Sequence, residues 1–156
     1  MAAVKQYGYT LRYVKNQTDE ICMAAVKQHS FALNYVKNQT DKICMLAVKH
    51  HGGALEYVNN QTHELCVESI KQNYYSFEHI KNQTDEICMC AIKLYGCLLE
   101  FVINQTDNIC MEAVKQDGNA LEFVTNQTDE ICVEANKQNN NASKFIKKSN
   151  KWWYTC

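Results

Sequence analysis

The sequence predicts an all-α fold: a right-handed α-solenoid of about seven 22-residue helix–turn–helix repeats, stacked in the manner of TPR units. Three observations predict it. First, sliding the chain by 22 residues superposes it on itself without a gap: AVKQ recurs at 3–6, 25–28 and 113–116, and Asn-Gln-Thr recurs from Asn16, Asn38, Asn60, Asn82, Asn104 and Asn126. Second, the apolar residues inside each unit fall at helical offsets. Third, proline is absent, which suits helices better than a strand-and-turn architecture. The array is bounded at 3–134 with a degenerate C-terminal capping repeat at 135–156, and the whole chain, 1–156, reads as one repeat domain.

Each unit opens with a helix. In the stretch 18–28, Thr18 suits the N-cap, and Asp19 and Glu20 place negative charge at the positive end of the helix dipole. Ile21, Cys22, Met23, Ala25 and Val26 then form a broad apolar face, and Lys27 suits the negative end. Gly8, Gly52, Gly96 and Gly118 mark the following turn. A second, shorter helix comes next, as at 54–59, with apolar Leu55 and Val58. Its aromatic place reads Tyr13, Tyr35, Tyr57, His79, Phe101, Phe123 and Phe145 along the chain. Asn is expected to close this helix, because it tolerates the left-handed conformation, and Thr reopens the next unit. The expected core is Leu11, Val14, Ile21, Cys22, Ala25, Val26 and their equivalents.

Two other architectures share a period near 22. A leucine-rich repeat needs apolar residues alternating along a strand, whereas Leu11, Val14, Ile21, Cys22, Ala25 and Val26 follow helical offsets. Long lipid-binding amphipathic helices are disfavoured by the break at every Asn-Gln-Thr.

The two ends differ from the middle. Residues 1–4, MAAV, match 23–26, so the chain is expected to start inside a helix whose face is unfinished, a possible self-association surface. In the last unit Asn136 stands where Val is found and Ser143 where Leu is found. Lys147, Lys148, Trp152, Trp153 and Tyr154 follow, and are expected to cap the array.

Composition narrows the function classes. Net charge is −1, which gives no general pull toward nucleic acid or anionic membranes, although Lys144, Lys147, Lys148 and Lys151 form a local basic tail. No apolar run approaches the roughly 18 residues of a membrane span, and the first ten residues lack the apolar core of a signal peptide. Six of the nine cysteines recur once per unit: Cys22, Cys44, Cys66, Cys88, Cys110 and Cys132. Neighbouring helices stand roughly 8–10 Å apart, beyond the ~7 Å Cα reach of a disulfide. Reduced, buried thiols in a reducing, cytoplasmic setting are therefore expected.

AVKQDGNALEFVTNQTDEICVEA and AVKQHSFALNYVKNQTDKICMLA resemble the short AVKQ-G-AL/NQT helical repeat proteins of giant viruses that infect amoebae, many described only as a domain of unknown function. The resemblance covers about residues 1–146 and excludes the tail from Ser149 to Cys156. It implies a viral origin, the cytoplasm of an infected host cell and a role in protein contacts. It carries no catalytic residues with it.

Each possible site has a structural counterpart. Every Asn-Gln-Thr, and Asn141-Ala142-Ser143, is formally a glycosylation sequon, yet Asn and Thr are accounted for as helix boundaries. Gln17, Gln39, Gln61, Gln83, Gln105 and Gln127 are required by neither cap. They are candidates for a polar ladder, bonding to the neighbouring repeat's backbone or to a ligand. The row Lys5, Lys27, Lys49, Lys71, Lys93, Lys115 and Lys137 faces an acidic row of Asp19, Asp41, Asp85, Asp107 and Asp129, so a phosphate-tracking surface, hence nucleic acid, is the lesser expectation. Cys88, Cys90 and Cys97 with His50, His51 or His63 form no four-ligand metal set. Cys90 or Cys97 with His79 has no supporting motif for nucleophilic catalysis. No enzyme activity, metal or cofactor is expected. Specificity should lie where the units differ: Tyr7, His29, His51, Asn73, Tyr95 and Asp117 before the turn, and Tyr9, Phe31, Gly53, Tyr75, Cys97 and Asn119 two places later. Exposed aromatics there are suited to anchoring a protein partner of unknown identity.

Overall fold

In the computed structural model, which describes residues 2–147, each 22-residue unit is an α-helix followed by a 3₁₀ helix. The α-helices are α1 Ala2–Gln6, α2 Asp19–Gln28, α3 Asp41–His50, α4 His63–Gln72, α5 Asp85–Leu94, α6 Asp107–Gln116 and α7 Asp129–Gln138. The 3₁₀ helices are η1 Gly8–Tyr13, η2 Ser30–Tyr35, η3 Gly52–Tyr57, η4 Tyr74–His79, η5 Gly96–Phe101, η6 Gly118–Phe123 and η7 Asn140–Phe145. Among the described residues there is no strand. Lys148, Lys151 and the proposed Trp152-Trp153-Tyr154 cap lie outside the described residues, as does Met1.

The α-helices begin as their sequence dictates. Thr18, Thr40, Thr62, Thr84, Thr106 and Thr128 hold extended backbone, and each hydroxyl accepts the N–H three residues on, as Thr84 does from Ile87 at 3.3 Å. Each α-helix then gives way to one extended residue, such as His51 at φ −157 and ψ 111, before the 3₁₀ helix starts.

The second helix differs from the expectation in type and bounds. It runs Gly52–Tyr57 rather than 54–59, and is closed by i→i+3 bonds: the Ala54 N–H donates to the His51 carbonyl at 2.9 Å and Val58 N–H to Leu55 at 3.0 Å. Val58, not Asn, ends it, in extended conformation at φ −76 and ψ 123. Among the described residues no backbone has positive φ, so neither the Asn nor the Gly rows serve as left-handed caps. The glycines meet a different demand. A Cβ on Gly118 would lie 2.6 Å from the Ala135 carbonyl oxygen, and one on Gly8 2.5 Å from that of Ala25. The start of each of these 3₁₀ helices is pressed against the last turn of the next repeat's α-helix.

Contacts gather the chain into two compact units, Met1–Asn82 and Gln83–Cys156. In the first, α1–α4 and η1–η4 enclose a core of Leu11, Leu33, Leu55 and Phe77 from the 3₁₀ helices and Val26, Ile43, Val48 and Ile70 from the α-helices. In the second, α5–α7 and η5–η7 enclose Leu99 and Leu121 with Ile92, Ile109 and Val114. The row Ala25, Ala47, Ala91, Ala113, Ala135 is fully buried, small side chains where backbones approach most closely, and Ser69 takes the same place by donating its hydroxyl to the Cys66 carbonyl at 2.7 Å. Helices of ten and six residues do not persist alone in water. Each is held by its neighbours.

Candidate functional site

The six residues singled out before the turn all occupy the extended position between an α-helix and a 3₁₀ helix, and three of them cap the 3₁₀ helix with their side chains. His51 Nδ1 accepts the Gly53 N–H at 3.1 Å, Asn73 Oδ1 that of Tyr75 at 3.1 Å, and Asp117 Oδ1 that of Asn119 at 2.9 Å. Each caps its 3₁₀ helix as Asx residues cap turns. Tyr7, His29 and Tyr95 make no such cap.

In the first unit these positions and those two places on assemble an aromatic strip. The Tyr9 ring stacks on His29 at 4.3 Å and meets Tyr35 edge-on at 6.1 Å. His29 meets Phe31 at 5.6 Å, and Phe31 meets His51 at 4.8 Å and Tyr57 at 5.8 Å. The strip arises because the repeat sets residue i beside i+20 and i+26 of the next repeat, with His29 and Phe31 adjoining within one repeat. Arg12, the chain's single arginine, lies over the Tyr13 ring at 4.8 Å and 6.0 Å from that of Tyr35. Tyr7 is 69% exposed, Tyr13 73%, Tyr75 57% and Tyr9 42%. The same places in the second unit read Cys97, Asn119 and Asn141, and there the contact is polar: Asn139 Nδ2 donates to Asn119 Oδ1 at 3.0 Å.

The glutamine row is placed quite differently. Gln61 Nε2 donates to the carbonyls of Leu55 at 3.1 Å and His79 at 2.8 Å, while its Oε1 accepts the Lys81 N–H at 2.9 Å. Gln17 and Gln39 repeat the pattern in the first unit, onto Tyr35 and Lys37 and onto Tyr57 and Asn59. Gln83, Gln105 and Gln127 repeat it in the second, onto Phe101 and Ile103, Phe123 and Thr125, and Phe145 and Lys147. The thiols of Cys22, Cys44, Cys88 and Cys110 point at the same Oε1 atoms from 3.6 to 4.0 Å. A primary amide has two donor hydrogens and two acceptor lone pairs. Gln17, Gln39, Gln61, Gln105 and Gln127 each spend three of these four on backbone and Gln83 two, so the row is engaged chiefly in one clasp per repeat.

Sequence reasoning missed a second glutamine clasp. Gln28 Oε1 accepts the Gly8 N–H at 2.7 Å, Gln116 that of Gly96 at 2.7 Å and Gln138 that of Gly118 at 2.6 Å. The signal lay in the pairing of differences. Each of Gly8, Gly52, Gly96 and Gly118 is followed 20 residues on by Gln, whereas Ser30 and Tyr74 are followed by His50 and Leu94.

Five of the recurring thiols are held protonated by their surroundings. Burial pushes the Cys66 thiol up to about 11, and burial with the Asp107 carboxylate does the same to Cys110. Cys22, Cys44 and Cys88 are raised by burial, with the carboxylates of Asp19, Asp41 and Asp85 adding to it. Cys90 is half-buried and Cys97 exposed, and none of the eight described cysteines is in a disulfide. Among the described residues no three His, Cys, Asp or Glu side chains converge on a metal position, and no helix is long and apolar enough to cross a membrane.

A family model with the description "Domain of unknown function (DUF4116)" matches residues 1–39, 84–128 and 106–151, each stretch about two repeats long. No curated protein and no solved structure matches the chain.

Proposed function

We propose that this chain, which belongs to the DUF4116 family, is a non-enzymatic repeat scaffold that binds a protein partner through the aromatic strip of its first unit. The observation that carries the proposal is the confinement of Tyr9, His29, Phe31, Tyr35, His51 and Tyr57 to one continuous run of ring contacts. The described part of the second unit repeats the same elements with Cys97 and Asn119 at the place of Tyr9 and Phe31. The second unit keeps rings at the place of Tyr35 and Tyr57, as Phe101 and Phe123, so what sets the first unit apart is Tyr9 and Phe31. Tyr and His present large, rigid, amphipathic area at small entropic cost, which suits an interface anchor. The proposed setting is the cytoplasm of a virus-infected host cell, supported by the repeat's likeness to giant-virus proteins and by the buried thiols of Cys22, Cys44, Cys66, Cys88 and Cys110, which are outside disulfides and suit a reducing compartment.

The test is site-specific photo-crosslinking in the native cell, with a photoreactive phenylalanine at position 9 and, as the matched control, at position 119. A discrete adduct at position 9 that is absent at 119, and that Phe31→Ser abolishes without changing the circular dichroism, is expected. Equal adducts at both positions, or none at position 9, would refute the strip as the binding surface.

A further inference from the structure

The α-helical side of the first unit holds a groove of about 680 Å³, bordered by part of the repeating lysine row. Its floor is Met23 and Ala24 of α2 with Met45 and Leu46 of α3, all half-buried. Its rim carries Lys5, Lys27, Lys42 and Lys49, against the single carboxylate of Glu20. None of these lysines is in an ion pair; among the described residues the one ion pair is Lys137–Glu134 at 3.3 Å.

The groove exists because of departures from the repeat. The place of Ala24 and Leu46 is taken by Glu68, Glu112 and Glu134 in other units, and the place of Lys42 by Glu20, Glu64, Glu86 and Glu130. Between α2 and α3 an apolar floor is joined to a positive rim. On the same helical side of the second unit, the cleft beside Met111 is instead lined by Asp107, Asp129 and Glu130.

We infer that this groove receives the apolar face of an acidic amphipathic helix from another protein, with leucine-class anchors on the Met23–Met45 floor and carboxylates on the lysine rim. The inference rests on the protein-binding reading above but uses a separate surface. Its volume falls in the roughly 300–1,000 Å³ range of sites that enclose a ligand's apolar groups. Flexible, polarizable Met side chains repack around varied anchors. Successive α-helices of an array stand ~8–10 Å apart, close to the ~10.5 Å between residues seven apart on a docked helix, so Glu at i and i+7 reaches Lys27 and Lys49 together. A recessed floor beneath a lysine rim favours a helix over a bilayer, which needs protruding apolar groups. The apolar, ring-free floor offers nothing to stacked bases.

The experiment uses the full chain and two fluorescein-labelled synthetic peptides of about 18 residues, five helical turns. Both carry Leu at i, i+3, i+4 and i+7; one is flanked by Glu and the other by Lys. Fluorescence anisotropy is expected to show saturable, salt-weakened binding of the Glu peptide and none of the Lys peptide. Leu46→Glu and Lys42→Glu, each a residue that other repeats carry at the same place, should weaken it roughly tenfold or more, while Tyr9→Ser leaves it unchanged. Equal binding of both peptides, no binding of either, binding only to phosphatidylserine vesicles, or a dimer by light scattering that Lys42→Glu dissolves would each overturn the inference. Persistence of the position-9 adduct in Leu46→Glu protein shows that the strip reading survives independently of the groove.

Discussion

Replacing Gln61 by Leu removes one clasp between repeats while keeping the side-chain volume. Three bonds are lost: to the Leu55 carbonyl at 3.1 Å, to the His79 carbonyl at 2.8 Å, and from the Lys81 N–H at 2.9 Å. A hydrogen bond contributes about 0.5–1.5 kcal/mol net, and a buried partner left unsatisfied costs about 1–3 kcal/mol. The abandoned backbone groups are only partly buried, so water recovers some of the loss and the low end applies to each. The expected destabilisation is about 2–4 kcal/mol, which for a chain of this size lowers Tm by roughly 5–15 °C. Urea unfolding followed by circular dichroism at 222 nm measures it. Because array stability is close to a nearest-neighbour sum, the m-value should also fall as the first unit loses cooperativity. Asn60→Ala, at the exposed residue just before, should stay within about 0.5 kcal/mol of wild type. If Gln61→Leu does the same, the clasp is not what ties these repeats together.

Other outcomes follow from the same geometry. Gly118→Ala should destabilise by about 1–3 kcal/mol because its Cβ meets the Ala135 carbonyl at 2.6 Å, outweighing the ~0.4–1 kcal/mol that Ala gains by restricting the unfolded chain. Gly53→Ala, whose Cβ would meet only the His51 ring at 3.1 Å and Phe31 Cε1 at 3.7 Å, should be neutral or stabilising in thermal melts. Thr106→Ala removes the acceptor for the Ile109 N–H at 3.3 Å and should cost about 1 kcal/mol in urea unfolding. Iodoacetamide should label Cys97 in the folded protein and reach Cys66 and Cys110 only on unfolding, as read by peptide mass spectrometry. The same two thiols titrate near 11 folded against 9.0 in the unfolded chain, so the folded state holds the extra protons. Their contribution is intact below pH 9 and is lost as pH rises through 11, so Cys66→Ala should flatten the alkaline fall in stability.

Much of the fold was legible in the sequence because the repeat states each local rule six or seven times. Thr followed by acidic residues is a helix start in any context, and Ile, Cys, Ala and Val at helical offsets define one buried face. The 3₁₀ character of the second helix was not legible. Six residues such as GGALEY suit α and 3₁₀ turns alike, and the same 3₁₀ form recurs whether the first residue is Gly52, Ser30, Tyr74 or Asn140. The glycines were misassigned because a Gly after a helix ordinarily signals a left-handed cap, whereas here it answers a carbonyl 17 residues away in the chain. Of the candidate site, the aromatic places were visible as variable positions, but four of the five ring contacts join residues 20 or 26 apart and depend on how repeats stack. The groove was hidden further, because Lys42 and Leu46 look like ordinary drift until α2 and α3 are side by side.

The claim that the recurring glutamines are spent on the fold, leaving recognition to the positions that differ, is tested most directly by amide hydrogen exchange. The N–H groups of Lys37, Asn59, Lys81, Ile103 and Thr125 belong to exposed residues, yet each donates to a glutamine Oε1 at 2.9–3.0 Å. All five should exchange at least about a hundredfold more slowly than in a free peptide, at a spacing of 22 residues, with Lys81 alone released in Gln61→Leu. Exchange at free-peptide rates at these five positions in the folded protein would contradict the claim.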